Sequence, residues 1–357
     1  MKKIDKVVQL VPAFHYGDAI GESMRNVSGW LMKQGIQSEI YSLHVDDELR
    51  TEAFLYPQSI PQTSGNSVII LHYALPSALS GLYSNLPGKK ILLYHNITPA
   101  EYFVQWNAEL AFLTHAGREE LSRLHEKTDL ALADSEYNRK ELEEYGYKRS
   151  MVCPIWIPFR LYHNRYNDIL ASSLAKKVRF LFVGRVVPNK KIEDTIKIVY
   201  WYKENINPST SLVIVGKYTS VPRYYHWLRE YGKALHFSDD ELYFTGHISY
   251  DDLVTYYKNS HMFISMSEHE GFCVPLVESM YFNIPVVAYA SAAVPEILKD
   301  AGVLVHTKKF EYIAELMHII MTDNNLRDTV IKKQKERLRY FLDEKIMEIW
   351  HNILSGL

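Results

Sequence analysis

The sequence predicts an α/β protein of two doubly wound, Rossmann-like domains facing a central cleft. Three observations predict it: short β-branched and aromatic runs alternate with helix-period segments, these runs fall into two sets of six, and a proline-bearing stretch parts the sets. At 357 residues the chain is longer than one hydrophobic core ordinarily sustains, so two domains of roughly 150 to 200 residues each are expected.

The first set of strand candidates is KVVQLVPA, SEIYSL, SVIILHYA, KKILLYHN, LALADS and SMVCPIWI; the second is VRFLFVG, SLVIVGK, LYFTGH, HMFISMS, IPVVAYA and GVLVH. Between them CPIWIPFRLYHNRYND, with Pro154 and Pro158, reads as the hinge. The expected organisation is a domain over residues 1–158, a domain over 159–338, and a C-terminal helix over 339–357 free to pack back on the first domain. Open α/β sheets bind ligands at the carboxyl ends of their strands, so two such domains would present those ends to one cleft.

Composition narrows the function. Residues 1–158 hold 15 basic and 19 acidic side chains and residues 159–357 hold 25 and 23, a mild asymmetry that gives nucleic acid no strongly basic face. Cys153 and Cys273 lie too far apart in sequence for a zinc cluster and too few for a disulfide framework, which fits a reducing compartment. Nothing reads as a signal peptide or a spanning helix, so a cytoplasmic location is expected.

The residues that can carry chemistry follow strands. In SEHEGFCVPLVESM, Glu270 falls on the turn after a strand and Glu278 in an apolar helix with Pro275 near its start. Amides of Gly271, Phe272, Cys273 and Val274 would then head a helix, which is an anion site. Carboxylates beside an anion suit hydroxyl donors, as a vicinal diol offers two, although a capping acid and a dipole-favoured glutamate explain the pair as well. In GRVVPNKK, Arg185 follows a strand-ending glycine, and Lys190 and Lys191 open the next helix; this is neither a Walker loop nor a GxGxxG fingerprint. Gly17 and Asp18 lie in a glycine loop after the first strand, His95 ends a later one, and Ser135 reads as a helix N-cap.

Taken together, these loops resemble family-4 retaining glycosyltransferases of the GT-B fold, carried by VGRVVPNKK, SEHEGFCVPLVESMYFNIPVVAYASAAVPEI, YHNITPAEYF and the first glycine loop. The wording of GDAIG, YHNITP and ADSEYNRKEL further resembles bacterial O-antigen and capsular polysaccharide enzymes. The resemblance implies an acceptor-side first domain and a second domain that binds a UDP- or GDP-linked sugar. Glu278 would hold the ribose, Glu270 the donor sugar, and Arg185 and Lys190 the diphosphate. His95 would approach the sugar ring, Gly17 would let the first loop close on the phosphate, and His247 and Ile248 would lie by the base. Two departures stand out: Cys273 and Lys191 occupy positions where relatives carry glycine.

The resemblance implies no cofactor and a glycan or lipid-linked acceptor. The doublets Asp46-Asp47, Asp239-Asp240 and Asp251-Asp252 are expected to be polar helix starts rather than metal ligands. The rival readings are a sugar-nucleotide epimerase or hydrolase on the same fold and a non-catalytic nucleotide-sugar-binding subunit. VPRYYHWLREYGK mixes aromatic and basic residues in a way that fits peripheral contact with the inner face of the cell membrane, but a helix packed on the sheet is expected.

Overall fold

The computed structural model describes residues 4–174 and 177–357. The chain divides into two compact units. One comprises Met1–Ala100, Glu109–Pro158 and Tyr340–Leu357, the other Glu101–Ala108 and Phe159–Arg339.

The first unit holds a seven-stranded sheet of β1 (Lys6–Phe14), β2 (Gln37–Val45), β3 (Phe54–Leu55), β4 (Ser67–Tyr73), β5 (Lys89–Tyr94), β6 (Leu130–Ala133) and β7 (Ser150–Val152). Its order is β3-β2-β1-β4-β5-β6-β7, and every pairing is parallel. The second unit holds β8 (Val178–Val183), β9 (Thr210–Val215), β10 (Leu242–Gly246), β11 (Met262–Ser265), β12 (Val286–Tyr289) and β13 (Val303–Val305), ordered β10-β9-β8-β11-β12-β13 and again all parallel. Both sheets are doubly wound as the sequence predicts, with one strand more in the first: the two-residue β3, which pairs only with β2.

Parallel sheets covered by helices are buried on both faces, which is why β4 and β9 are buried throughout and read as unbroken runs. In the first unit alternate residues feed two apolar clusters, Val8, Leu10, Ile69 and Leu71 on one face and Val7, Val68, Ile70 and Ile91 on the other. The C-terminal helix Asp343–Ser355 adds Ile346, Trp350 and Ile353 to the second cluster, and Trp156 Nε1 donates to Asp343 at 2.7 Å.

The winding direction reverses between β1 and β4 in the first sheet and between β8 and β11 in the second. At such a switch point neighbouring loops splay apart, leaving a crevice beyond the carboxyl ends. The turn after β8 is GRVVPNKK and the turn after β11 is MSEHEGF, so the two loops singled out by sequence flank the second unit's switch point. Among the described residues no helix is long and apolar enough to cross a membrane.

Candidate functional site at the carboxyl edge of the second sheet

Beyond β8 the chain makes a short turn of 3-10 helix, Pro188–Lys190, and enters the helix Ile192–Asn205. Beyond β11 it loops through residues 266–273 and enters the helix Val274–Tyr281. Asn189 laces the two loops, its Nδ2 donating to the His269 carbonyl at 2.9 Å while its own carbonyl accepts from Glu268 N at 2.8 Å. The Asn189 Oδ1 is buried and has no partner among the described residues.

The helix starts explain why glycine would suit both of these positions. Lys191 sits at φ 48°, ψ 47° and Cys273 at φ 72°, ψ 69°, each the left-handed residue that precedes the first turn of its helix. That backbone costs an L-residue about 1–2 kcal/mol relative to a right-handed one, and glycine avoids the cost. Burial pushes the Cys273 thiol well above its ordinary pKa, so it is an inert thiol rather than a thiolate.

Lys190 Nζ donates to both oxygens of Glu270 at 2.6 Å, joining the two loops by a second link. Glu270 is only 6% exposed, so this cation neutralises a carboxylate that would otherwise be stranded in low dielectric. Arg185 is different: its side chain is exposed and holds no hydrogen bond or ion pair among the described residues. It is an uncommitted cation at this edge among the described residues. His247 is exposed and Ile248 partly so, directly beyond β10.

Glu278, expected as a ribose acceptor, is buried on the first turns of its helix and already holds two donors. Tyr162 Oη donates to Oε1 at 2.5 Å and Tyr257 Oη to Oε2 at 2.6 Å. Burial raises the Glu278 pKa, and the two tyrosine bonds pull against that rise. Each oxygen retains lone-pair capacity for a further donor, since an ionised carboxylate has about four acceptor sites. Neither tyrosine was singled out by the sequence; with 116 and 21 residues to the glutamate, no local pattern links them.

In the first unit Gly17 lies at φ 71° and is exposed, while Asp18 caps the helix Ala19–Lys33 by accepting from Ile20 N at 3.2 Å and Gly21 N at 3.3 Å. Asp46 brackets the same loop, accepting from Tyr16 N at 2.9 Å and meeting His15 Nδ1 at 2.9 Å. Of the other acidic doublets, Asp240 pairs with Lys177 at 2.6 Å and Asp251 with Arg165 at 3.0 Å.

Two of the expected site residues hold partners inside the fold. Ser135 is fully buried and is the helix cap that the sequence predicts, its Oγ accepting from Asn138 N at 3.2 Å. The His95 ring is 4% exposed, with Nδ1 at 2.9 Å from Asp134 and Nε2 at 3.0 Å from His72 Nδ1, so both nitrogens are spent inside the fold. The residue as a whole is partly exposed, so what it shows to solvent is main chain. The following residues are clamped as well. Asn96, at φ 73°, donates to Asn138, Ile97 N donates to Tyr94 Oη at 3.0 Å, and the Ile97 carbonyl accepts from Arg118 at 2.5 Å.

Residues 169–337 match the family described as glycosyl transferases group 1. This stretch is a glycosyltransferase group 1 domain. It contains both laced loops, the left-handed helix starts and Glu278. The chain is 22% identical over 202 residues to the capsular polysaccharide biosynthesis glycosyltransferase CapM of Staphylococcus aureus, which covers 55% of this chain and 50% of that protein. It is 24% identical over 193 residues to the amylovoran biosynthesis glycosyltransferase AmsD of Erwinia amylovora, covering 54% and 51%. The matched stretches thus span about half the length of these two relatives. Among solved structures, Anabaena HepE in complex with UDP-glucose superposes with a TM-score of 0.78 at 14% identity, over 99% of this chain and 100% of that one. Likeness at that identity concerns the fold, and it is the GT-B fold that the group 1 domain shares.

Proposed function

We propose that the protein is a retaining glycosyltransferase of family-4 type, moving a hexose from a nucleoside-diphosphate sugar to a glycan or lipid-linked glycan in bacterial surface polysaccharide synthesis. The observation that carries it is the second unit's switch point, where an unpaired arginine, a lysine–glutamate pair and a helix start lie on two laced loops, with a buried glutamate on the helix that follows. The names of CapM and AmsD support the polysaccharide context, and the UDP-glucose held by HepE supports the donor class.

The chemical problem is to expel a nucleoside diphosphate from an anomeric carbon, so negative charge grows on the leaving phosphate. Arg185 is free to grip phosphate oxygens through its fork, Lys190 adds a point charge already oriented by Glu270, and the helix Val274–Tyr281 turns its positive end the same way. Preorganised donors of this kind are each worth roughly 3 kcal/mol in a transition state, which lets the protein stabilise the charge without a metal ion. Glu270, gripped by Lys190, accepts from sugar hydroxyls with its remaining lone pairs, and Glu278 does the same for the ribose. In the retaining course the leaving phosphate takes the acceptor's proton while the new bond forms on the same face.

A thermal-shift panel of UDP, GDP, their hexose conjugates and dTDP-rhamnose tests the donor assignment. A ligand that binds only the folded chain stabilises it by about 2.7 kcal/mol at a hundredfold excess over Kd. One nucleotide series should raise Tm, and its sugar conjugate should raise it at least as far. No shift with any member of the panel contradicts the assignment.

A further inference from the structure

In the second unit the loop that carries Glu270 is fastened on both flanks. Asn189 and Lys190 hold it from the β8 side. From the β12 side Ser291 Oγ donates to the Ser267 carbonyl at 2.6 Å, and Ala293 N donates to the Glu270 carbonyl at 3.2 Å. A further link comes from the outermost strand on that side. Lys308 lies just beyond β13, and its ammonium reaches back past the end of β12, 4.8 Å from the centre of the Tyr289 ring. There it donates to Glu268 Oε1 at 2.7 Å and to Asp194 Oδ2 at 2.8 Å.

The two acids belong to different elements. Glu268 is on the loop after β11, two positions before Glu270, and Asp194 is in the first turn of the helix that follows the GRVVPNKK turn after β8. One ammonium thus joins chain leaving β8, β11 and β13. Asp194 is buried and the Lys308 side chain is 18% exposed, so this is not a solvated pair. The other cations stand farther off: Lys197 is 3.4 Å from Asp194, and Lys191 is 3.5 Å from Glu268. Burial works against the Lys308 charge, but the bonds to Asp194 and Glu268 outweigh it and the pKa ends raised, so the tie stays charged at neutral pH. The strands beneath are held by their own ladders, so what Lys308 adds falls on the loops above them.

We propose that Lys308 is a positioning residue for sugar transfer. By holding Asp194 and Glu268 on one ammonium, it fixes the Arg185–Lys191 turn and the Glu268–Glu270 loop at one separation, so that the groups for diphosphate and sugar are set before the donor arrives. This rests on the glycosyltransferase reading of those loops. Lys308 acts through the two acids, with both bonds spent on them.

Two measurements on the full chain test it. Hydrogen exchange needs no activity: Lys308→Met should speed exchange of the amides in 189–195 and 266–273 and leave those of β8 and β9 unchanged. Unaltered exchange in both loops overturns the proposal. In steady-state kinetics Lys308→Met should lower kcat about tenfold or more while the donor KM stays within about twofold, as lost preorganisation does. Lys308→Arg, whose fork can bond both carboxylates, should recover most of that loss. Lys308→Met combined with Asp194→Asn and Glu268→Gln removes the tie without stranding a charge, so it should melt close to the natural chain and keep the low kcat. Natural kcat in folded Lys308→Met, or in the triple variant, contradicts the proposal and leaves the ammonium a stabilising ion bridge alone. If the unaltered protein transfers sugar from no donor, the glycosyltransferase reading fails, and the exchange pattern still decides whether Lys308 holds the two loops.

Discussion

At the scale of single residues, two carboxylates that look alike in sequence have opposite surroundings. Glu270 is held by a cation, and removing Lys190 alone would leave a buried charge uncompensated, a loss of roughly 3 kcal/mol for such pairs. Lys190→Met should therefore lower both Tm and activity, whereas Lys190→Met with Glu270→Gln should recover most of the Tm and none of the activity. Equal melting of the single and double variants would show that the pair carries no such energy. Glu278 is held by two hydroxyls, and its pKa is raised by burial. A raised carboxyl pKa means that the folded state binds the proton more tightly. The stability it contributes is present below the ordinary value of 4.5 and is lost as pH rises through the folded value. Glu278→Gln has no such loss, so its Tm advantage over the natural protein should widen as pH rises from 4.5 and then level off, while nucleotide affinity falls. A Tm difference independent of pH would refute the linkage. The pairing of Glu270 and Glu278 was legible in sequence as spacing and flanking residues. Their partners Tyr162, Tyr257 and Lys190 were not legible as partners, since the contacts come from folding distant segments together.

At the scale of elements, strands were the most legible part. Parallel strands buried on both faces write themselves as continuous apolar runs, which is why the strands from β8 to β13 each lie on a sequence-expected run. The two-residue β3 was missed because Phe54 and Leu55 carry no period to detect and owe their pairing to β2. SMVCPIWI was expected as one strand but pairs only over Ser150–Val152, after which Cys153 and Trp156 pack into the core as irregular chain. The odd residues at the helix starts, Lys191 and Cys273, were legible as departures, but that each stands on a left-handed backbone where glycine would be unstrained is seen only in the structure. Lys191→Gly removes that strain and forfeits only long ion contacts, 3.9 Å to Glu193 and 3.5 Å to Glu268. It should raise stability by about 1 kcal/mol, read as a higher denaturation midpoint at constant slope. A lower midpoint would mean that those contacts outweigh the backbone term.

At the scale of the whole molecule, two doubly wound sheets follow from the alternation of apolar runs and helix-period segments, and the GT-B likeness extends over 99% of the chain. The group 1 domain match lies over residues 169–337, where the switch-point loops concentrate the site's charge. In the proposed reaction, sugar and acceptor would be chosen by individual loop side chains, which neither the fold nor the strand pattern encodes. The central claim is that this edge stabilises a departing nucleoside diphosphate, and Arg185 isolates it, being exposed and unpaired among the described residues. The direct measurement is nucleoside-diphosphate release with donor and acceptor present, comparing the natural chain with Arg185→Ala. The account predicts a loss of about a hundredfold or more in kcat/KM with Tm unchanged; full release by folded Arg185→Ala would contradict it.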